Sequence, residues 1–194
     1  MTTKFRNKYR VESARLKGYD YSRNGAYFIT ICTKRHLCLF GNIDVETGLR
    51  PVSTNNSDNS DNSNKTGKNT LRINLSEEGQ IVSECWFDLP NHYYNIILDE
   101  FIVMPNHVHG IIIIQNYKGE KQKHGLSEFV RAFKSFSSRR INEFRKSNNS
   151  ETWQSRFYDH IIHSDNELNR IRIYIKNNLD NWLNDQHYIC SNSH

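Results

Sequence analysis

Two histidines one residue apart, His107 and His109, lie in the run FIVMPNHVHGIIII, residues Phe101–Ile114. On a strand, side chains two apart project from the same face, so the two imidazoles would stand side by side. Such a pair is half of a metal site and a common way to hold a divalent cation. The same spacing also suits two partly buried structural histidines, and a bare His-x-His does not separate the two readings. The Pro105-Asn106 turn ahead of the pair and the apolar Ile111–Ile114 behind it favour a strand that presents both rings near its start. The second candidate is the last amphipathic segment. At about 100° per residue, Leu168, Ile171, Ile175, Leu179 and Trp182 form one stripe that should face the core. Tyr174 and Asn178 are i, i+4 neighbours on the edge of that stripe, with Glu167 in line with them. A phenol placed there can reach into a cleft beside the sheet, although plain boundary packing is the commoner fate of a helical tyrosine.

These side chains need a sheet and helices to position them. Ala26–Thr33 is rich in aromatic and β-branched residues and reads as a strand. Ser76–Leu89 reads as a helix with Ile81, Val82, Cys85, Trp86 and Leu89 on one face. Asn95–Met104 and His107–Gln115 read as two strands joined by a tight turn. Gly125–Lys146 reads as a helix through Leu126, Phe129, Val130, Phe133, Phe136, Ile141 and Phe144. A short strand near Arg156–Ile162 follows, and a helix over Asp165–Trp182 opens at a capping box, Ser164 with Glu167. This order predicts an α+β fold: a ferredoxin-like antiparallel sheet with its helices packed on one face.

The chain has 194 residues, enough for one domain over 1–194. Its 36% hydrophobic content is modest, but 12% aromatic residues can still build a core. Residues 53–70 contain no apolar side chain and repeat Asn, Ser and Asp, so they read as a mobile low-complexity insertion. Apolar runs as short as Ile111–Ile114 are far below the ~18–20 residues of a membrane span, and the first residues lack an apolar signal core. A cytoplasmic protein with no membrane partner is expected. The four cysteines, Cys32, Cys38, Cys85 and Cys190, show no CxxC pair and read as free thiols. Net charge is +5, and it is uneven. Residues 1–23 carry seven Lys/Arg against two acids, and residues 118–146 carry nine against three. Arg15, Lys17 and Arg23 in the first block and Arg131, Lys134, Arg139 and Arg140 in the second are candidate contacts to a polyanion, most simply nucleic acid. Tyr19, Tyr21, Phe28, Trp153 and Tyr158 are candidate stacking surfaces for unpaired bases.

MPNHVHGII, with YDYSRNGAYFITICT upstream, WQSRFYDHIIHSDNEL downstream and YIKNN in the last helix, resembles the HUH single-tyrosine transposases. Within them it is most similar to the REP-associated and IS200-like branch, over roughly Arg15 to Trp182 and in the family's order. The resemblance implies a ferredoxin-like nuclease that cuts single-stranded or hairpin DNA with a tyrosine and a divalent metal, Mg2+ or Mn2+. It implies His107 and His109 as paired metal ligands, Tyr174 as nucleophile and Asn178 as the polar residue that completes the metal site. Monomers and homodimers both occur among such proteins. The chemistry agrees with that transfer. A phenol, with an ordinary pKa of about 10, is a weak nucleophile at neutral pH and needs an activated phosphate. Its attack would give a 5′-phosphotyrosine and a free 3′-hydroxyl, so a second 3′-hydroxyl could reseal the strand without ATP.

Two positions depart from the family pattern. Leu179 stands where a proline is usual, which predicts that the helix runs on toward Trp182. His163 stands where arginine is common, leaving one fixed positive charge fewer. A second reading is a transposase-derived regulatory protein that binds DNA without turnover, though such a protein needs none of His107, His109, Tyr174 and Asn178. A histidine-motif nucleotide hydrolase would need a third histidine where Ile111 stands. His160 is a candidate neighbour of the site, whereas His36, His92, His124, His187 and His194 have no metal-ligand spacing.

Overall fold

The computed structural model describes residues 4–5, 8–9, 16, 18–46, 70–117, 124–147 and 150–182. Arg15, Lys17, Cys190, His187, His194 and the 53–70 insertion up to residue 69 lie outside the described residues. In chain order the elements are β1 (Lys4–Phe5), β2 (Lys8–Tyr9), β3 (Gly25–Cys32), β4 (Gly41–Glu46), β5 (Thr70–Leu75), α1 (Glu77–Phe87), α2 (Leu89–His92), β6 (Ile96–Met104), β7 (His107–Ile114), α3 (Leu126–Phe144), β8 (Tyr158–Ile162) and α4 (Asp165–Lys176). β3, β6, β7 and β8 form one antiparallel sheet of order β6-β7-β3-β8. The first of its strands therefore lies between the third and the fourth, which is the ferredoxin-like order expected from the sequence. β1 with β2, and β4 with β5, are separate two-stranded ladders.

Period-two alternation divides the sheet residues between two faces. Tyr27, Ile29 and Ile31 of β3 and Val108, Ile112 and Ile114 of β7 point into the main core, where Val82 and Trp86 of α1 and Phe129, Val130 and Phe133 of α3 cover them. Phe28 and Ile111 point the other way, into a smaller cluster closed by Ile162 and by Ile175 of α4. The helices thus occupy both faces, not one. An amphipathic stripe records that a helix buries one side, and it is silent on which face of the sheet receives it.

Local signals account for the element ends. Ser76 caps α1 by accepting from the Gly79 N–H at 3.1 Å. Ser164 caps α4 by accepting from the Glu167 N–H at 3.2 Å, and Glu167 Oε2 returns to the His163 N–H at 2.7 Å, close to the expected capping box. α4 ends at Lys176, short of the expected Trp182. Beyond it the Asn178 N–H turns back to the Ile175 carbonyl at 3.2 Å, and the Trp182 N–H to Leu179 at 3.2 Å. The helix tightens into turns there without a proline. Cys32 and Cys85 are free thiols, as expected, but Cys38 is disulfide-bonded. The spacing of cysteines along a chain does not report pairings made by the fold.

Candidate active site

The strand register builds the site from one row of side chains. His109 of β7 pairs with Thr30 of β3 and with Ile102 of β6, and Thr30 pairs in turn with Tyr158 of β8. All four lie on the face that α4 covers. His107, two residues before His109, joins them at the β6–β7 turn and is fully buried. Gly110 makes the close packing beneath possible. A Cβ there would lie 2.6 Å from the Trp86 ring, which stacks on Phe101 at 4.4 Å between centroids.

Each imidazole is oriented by a polar neighbour. His107 Nδ1 donates to the Asn106 side-chain carbonyl at 2.8 Å. That oxygen can only accept, so the proton sits on Nδ1 and Nε2 presents a lone pair. Asn106 is itself fixed, because its backbone carbonyl accepts from the Thr33 N–H at 2.8 Å and from Thr33 Oγ1 at 3.0 Å. His109 Nδ1 lies 2.8 Å from Thr30 Oγ1, a hydroxyl that donates or accepts and so serves either tautomer of His109. The two Nε2 atoms meet at 3.1 Å. A third polar atom joins them, because Tyr174 Oη lies 3.4 Å from His109 Nε2. Phe28 supports this group, stacked on His109 at 5.3 Å and edge-on to Tyr174 at 6.0 Å. Trp182 stacks on His107 at 5.9 Å from the turns that follow α4.

Asn178, one turn after Tyr174, is buried. Among the described residues its Oδ1 has no hydrogen-bond partner. An orphaned buried carbonyl is costly unless something binds it. Among the described residues no three His, Cys, Asp or Glu side chains cluster as a metal site. Two imidazoles, His107 and His109, and the unpartnered amide oxygen of Asn178 are donor types that suit a divalent cation.

The other expected residues separate by place. Arg23 is exposed just before β3, at the end of the sheet away from His107. Arg131, Lys134, Arg139 and Arg140 ride on α3, across the sheet from the histidines. Arg140 pairs with Glu84 at 2.5 Å, and Arg139 lies over the Phe136 ring. Lys134 supports the site indirectly. Its Nζ donates to the carbonyls of Gln154 and Arg156 at 2.9 and 3.0 Å, holding the segment that leads into β8. Gln154 and Arg156 line a cleft of about 550 Å³ that also reaches Thr30, His109, Tyr158 and Tyr174. His160 contacts Glu167 Oε1 at 2.8 Å beside the site rather than joining the histidine pair. The hydrogen bond from the His163 N–H, followed by that from His160, holds the Glu167 carboxyl below the usual carboxylate range. Sequence reasoning missed Thr30 and Asn106 as orienting groups. The Asn106-His107 adjacency was visible, but the strand pairing that brings Thr30 to His109 was not.

Fold and site together define the class: a ferredoxin-like antiparallel sheet carrying a histidine pair, faced by a tyrosine from the helix packed against it. The comparisons with known proteins agree. The family model for IS200-like transposases matches residues 86–178, a stretch that contains His107, His109, Tyr174 and Asn178. A Haemophilus influenzae protein described as uncharacterized is 30% identical over 208 residues, spanning 97% of this chain and 99% of that protein. The chain belongs to the IS200-like transposase family. A solved structure of a REP-associated tyrosine transposase bound to a REP hairpin aligns with 86% of this chain and 72% of its own, at a TM-score of 0.53 and 16% identity. It shares the fold. Among the described residues no helix is long and apolar enough to cross a membrane.

Proposed function

We propose that this transposase-family protein cuts and rejoins single-stranded DNA through a covalent bond to Tyr174, with a divalent cation, Mg2+ or Mn2+, held by His107, His109 and Asn178. One observation carries the reading: His109 Nε2 has His107 Nε2 at 3.1 Å on one side and the Tyr174 hydroxyl at 3.4 Å on the other. Metal ligand and nucleophile converge, as a phosphoryl-transfer site requires. When bound, the cation would polarise the scissile phosphate and neutralise its developing charge.

The chain's own groups do the rest. Asn106 keeps the His107 lone pair on Nε2, and Thr30 would do the same for His109 in the cation-bound site, where its hydroxyl would accept from Nδ1. Because the ligands are two imidazoles and an amide, all neutral, they leave the positive charge available to the phosphate. Tyr174 is 44% exposed, so its phenol borders the open cleft while its ring rests on Phe28. Attack by its oxygen, whose phenolic proton passes to solvent, forms the P–O bond to tyrosine and breaks the bond to the 3′-oxygen, which leaves as a hydroxyl after taking a proton from solvent. The bond energy stays in the phosphotyrosine, so the reverse attack by a 3′-hydroxyl rejoins a strand.

The fold relative is bound to a REP hairpin, which supports hairpin DNA with single-stranded flanks as the test substrate. Incubation with such DNA and Mn2+ or Mg2+, followed by a denaturing gel, should reveal a protein–DNA adduct. Binding without any adduct under either metal would instead favour the regulatory reading. Affinity should fall steeply with salt, because backbone phosphates are met by Lys and Arg.

A further inference from the structure

Of the five aromatic residues that the sequence offers as stacking surfaces, the structure leaves Tyr158 standing open. Tyr19 and Tyr21 pack against the main core, Trp153 is buried within it, and Phe28 lies beneath His109 and Tyr174. Tyr158 is 50% exposed. It belongs to the row that carries Thr30 and His109, on the same face of the sheet. Two clefts adjoin along Phe28, Tyr158 and Tyr174. One reaches His109 and Arg156, and the other, of about 420 Å³, runs between β8 and α4 past Glu167 to Arg170. Arg170 is exposed, and among the described residues no hydrogen bond or ion pair engages it. Glu167 does not set a bare carboxylate against a polyanion there, since its oxygens are taken by His160 Nε2 and the His163 N–H.

Aromatic walls with a guanidinium at the rim match one ligand chemistry, a flat base joined to a phosphate. A paired base in a duplex has both faces stacked already, so the ligand is an unpaired nucleotide. We propose that the groove between β8 and α4 seats one unpaired nucleotide of the DNA strand beside the phosphate attacked by Tyr174, with Tyr158 stacking on its base and Arg170 contacting its phosphate. This rests on the reading of Tyr174 as the nucleophile, and it adds a base-binding subsite to it.

Fluorescence anisotropy with a labelled dodecathymidylate and with a wholly abasic strand of equal length separates the two contacts. Chelator in the buffer prevents cutting. Tyr158→Ala should weaken binding to the thymidylate strand roughly 5- to 150-fold, the span of one base–aromatic stack, and leave the abasic strand unchanged. Tyr158→Phe keeps the ring and should restore the affinity. Arg170→Gln should weaken both strands alike. Tyr158→Ala that weakens both strands equally, or neither, overturns the stacking contact, and unchanged affinity of Arg170→Gln on both overturns the phosphate contact. Wild-type protein that binds neither strand overturns the single-strand reading beneath the proposal, a result distinct from the loss of the subsite alone.

Discussion

Asp99 and Arg172 fasten the helix that carries Tyr174 to the edge of the sheet. Asp99 Oδ1 accepts from Arg172 Nε at 2.8 Å and Oδ2 from Nη2 at 2.5 Å, a bidentate pair. One helical turn on, Lys176 Nζ lies 2.8 Å from Glu100 Oε1. Consecutive strand residues normally point to opposite faces. Here the β6–β7 register shifts between Leu98 and Phe101, so Asp99 and Glu100 share one place in the ladder and both serve α4. The bulge thereby sets two anchors, at positions 172 and 176, on either side of Tyr174.

Asp99→Asn should therefore slow adduct formation more than it loosens the fold. A tyrosine displaced by about 1 Å costs up to ~100-fold in rate, whereas an ion pair whose guanidinium is 35% exposed contributes little to stability. Single-turnover adduct kinetics beside oligonucleotide binding would show it, with the rate falling and the affinity unchanged. The hydrogen bond from Arg172 also holds the Asp99 carboxyl below the usual carboxylate range. As pH falls, the unfolded chain takes up this proton first, at about 3.9. The pair's stabilisation is thus complete above about pH 5 and fades as pH drops through the lowered folded value. The melting-temperature gap between wild type and Asp99→Asn should be flat from pH 7 to 5 and close below pH 4. A gap that widens in acid would contradict the assignment.

Gly110→Ala tests the packing beneath the histidine pair. The new methyl would sit 2.6 Å from Trp86 and 3.2 Å from Phe101, in a wall of stacked rings. Overpacking of this kind costs ~1–3 kcal/mol. Urea melts should register that loss, and Mn2+ affinity should fall with it because His109 is the preceding residue. Unaltered stability would mean that Trp86 swings aside freely.

Which of these features the sequence discloses follows from the range of each signal. The histidine pair is legible because period two on a strand is a local rule, and Tyr174 with Asn178 because i, i+4 neighbours share a helix edge. The ferredoxin-like order follows from the succession of elements. The placement of α4 opposite α1 and α3 is not legible, since its stripe of Leu168, Ile171 and Ile175 would bury equally well on either face. Nor is the bulge at Asp99-Glu100, which carries no glycine or proline to announce it. Thr30 escapes because strand order alone does not fix register: nothing near it in sequence says that it will pair with His109 rather than with a neighbouring residue of β7. The end of α4 at Lys176 was masked by Leu179 and Trp182, which keep a helical period while the backbone turns.

Tyr174→Phe removes one hydroxyl and keeps the ring on Phe28. The variant should retain its melting temperature within about 2 °C, since the hydroxyl's long 3.4 Å contact to His109 contributes little to the fold. It should bind hairpin DNA as wild type does, because phosphate contacts come from Lys and Arg. No adduct should form. An adduct that persists in this variant would move the nucleophile elsewhere, with Tyr158 the first alternative on the same face.

The metal set makes graded demands. His107→Ala and His109→Ala each remove an imidazole from the proposed three-ligand site, so calorimetric titration with Mn2+ should show binding lost and adduct formation lost with it. Asn178→Ala removes a neutral amide oxygen, a weaker donor, and should lower affinity by less than either histidine change. Thr30→Val is the sharper test, because it leaves all three ligands in place. Valine keeps the shape of threonine but cannot accept from His109 Nδ1, the contact of 2.8 Å through which the proposed cation-bound site would hold the lone pair on Nε2. Loss of such an orienting partner typically weakens metal binding 10–100-fold, and Thr30→Ser should recover most of it. Equal affinity in Thr30→Val and wild type would mean that the hydroxyl does not orient His109. DNA cutting that proceeds undiminished in chelator would remove the cation from the chemistry and leave His107 and His109 as buried structural histidines.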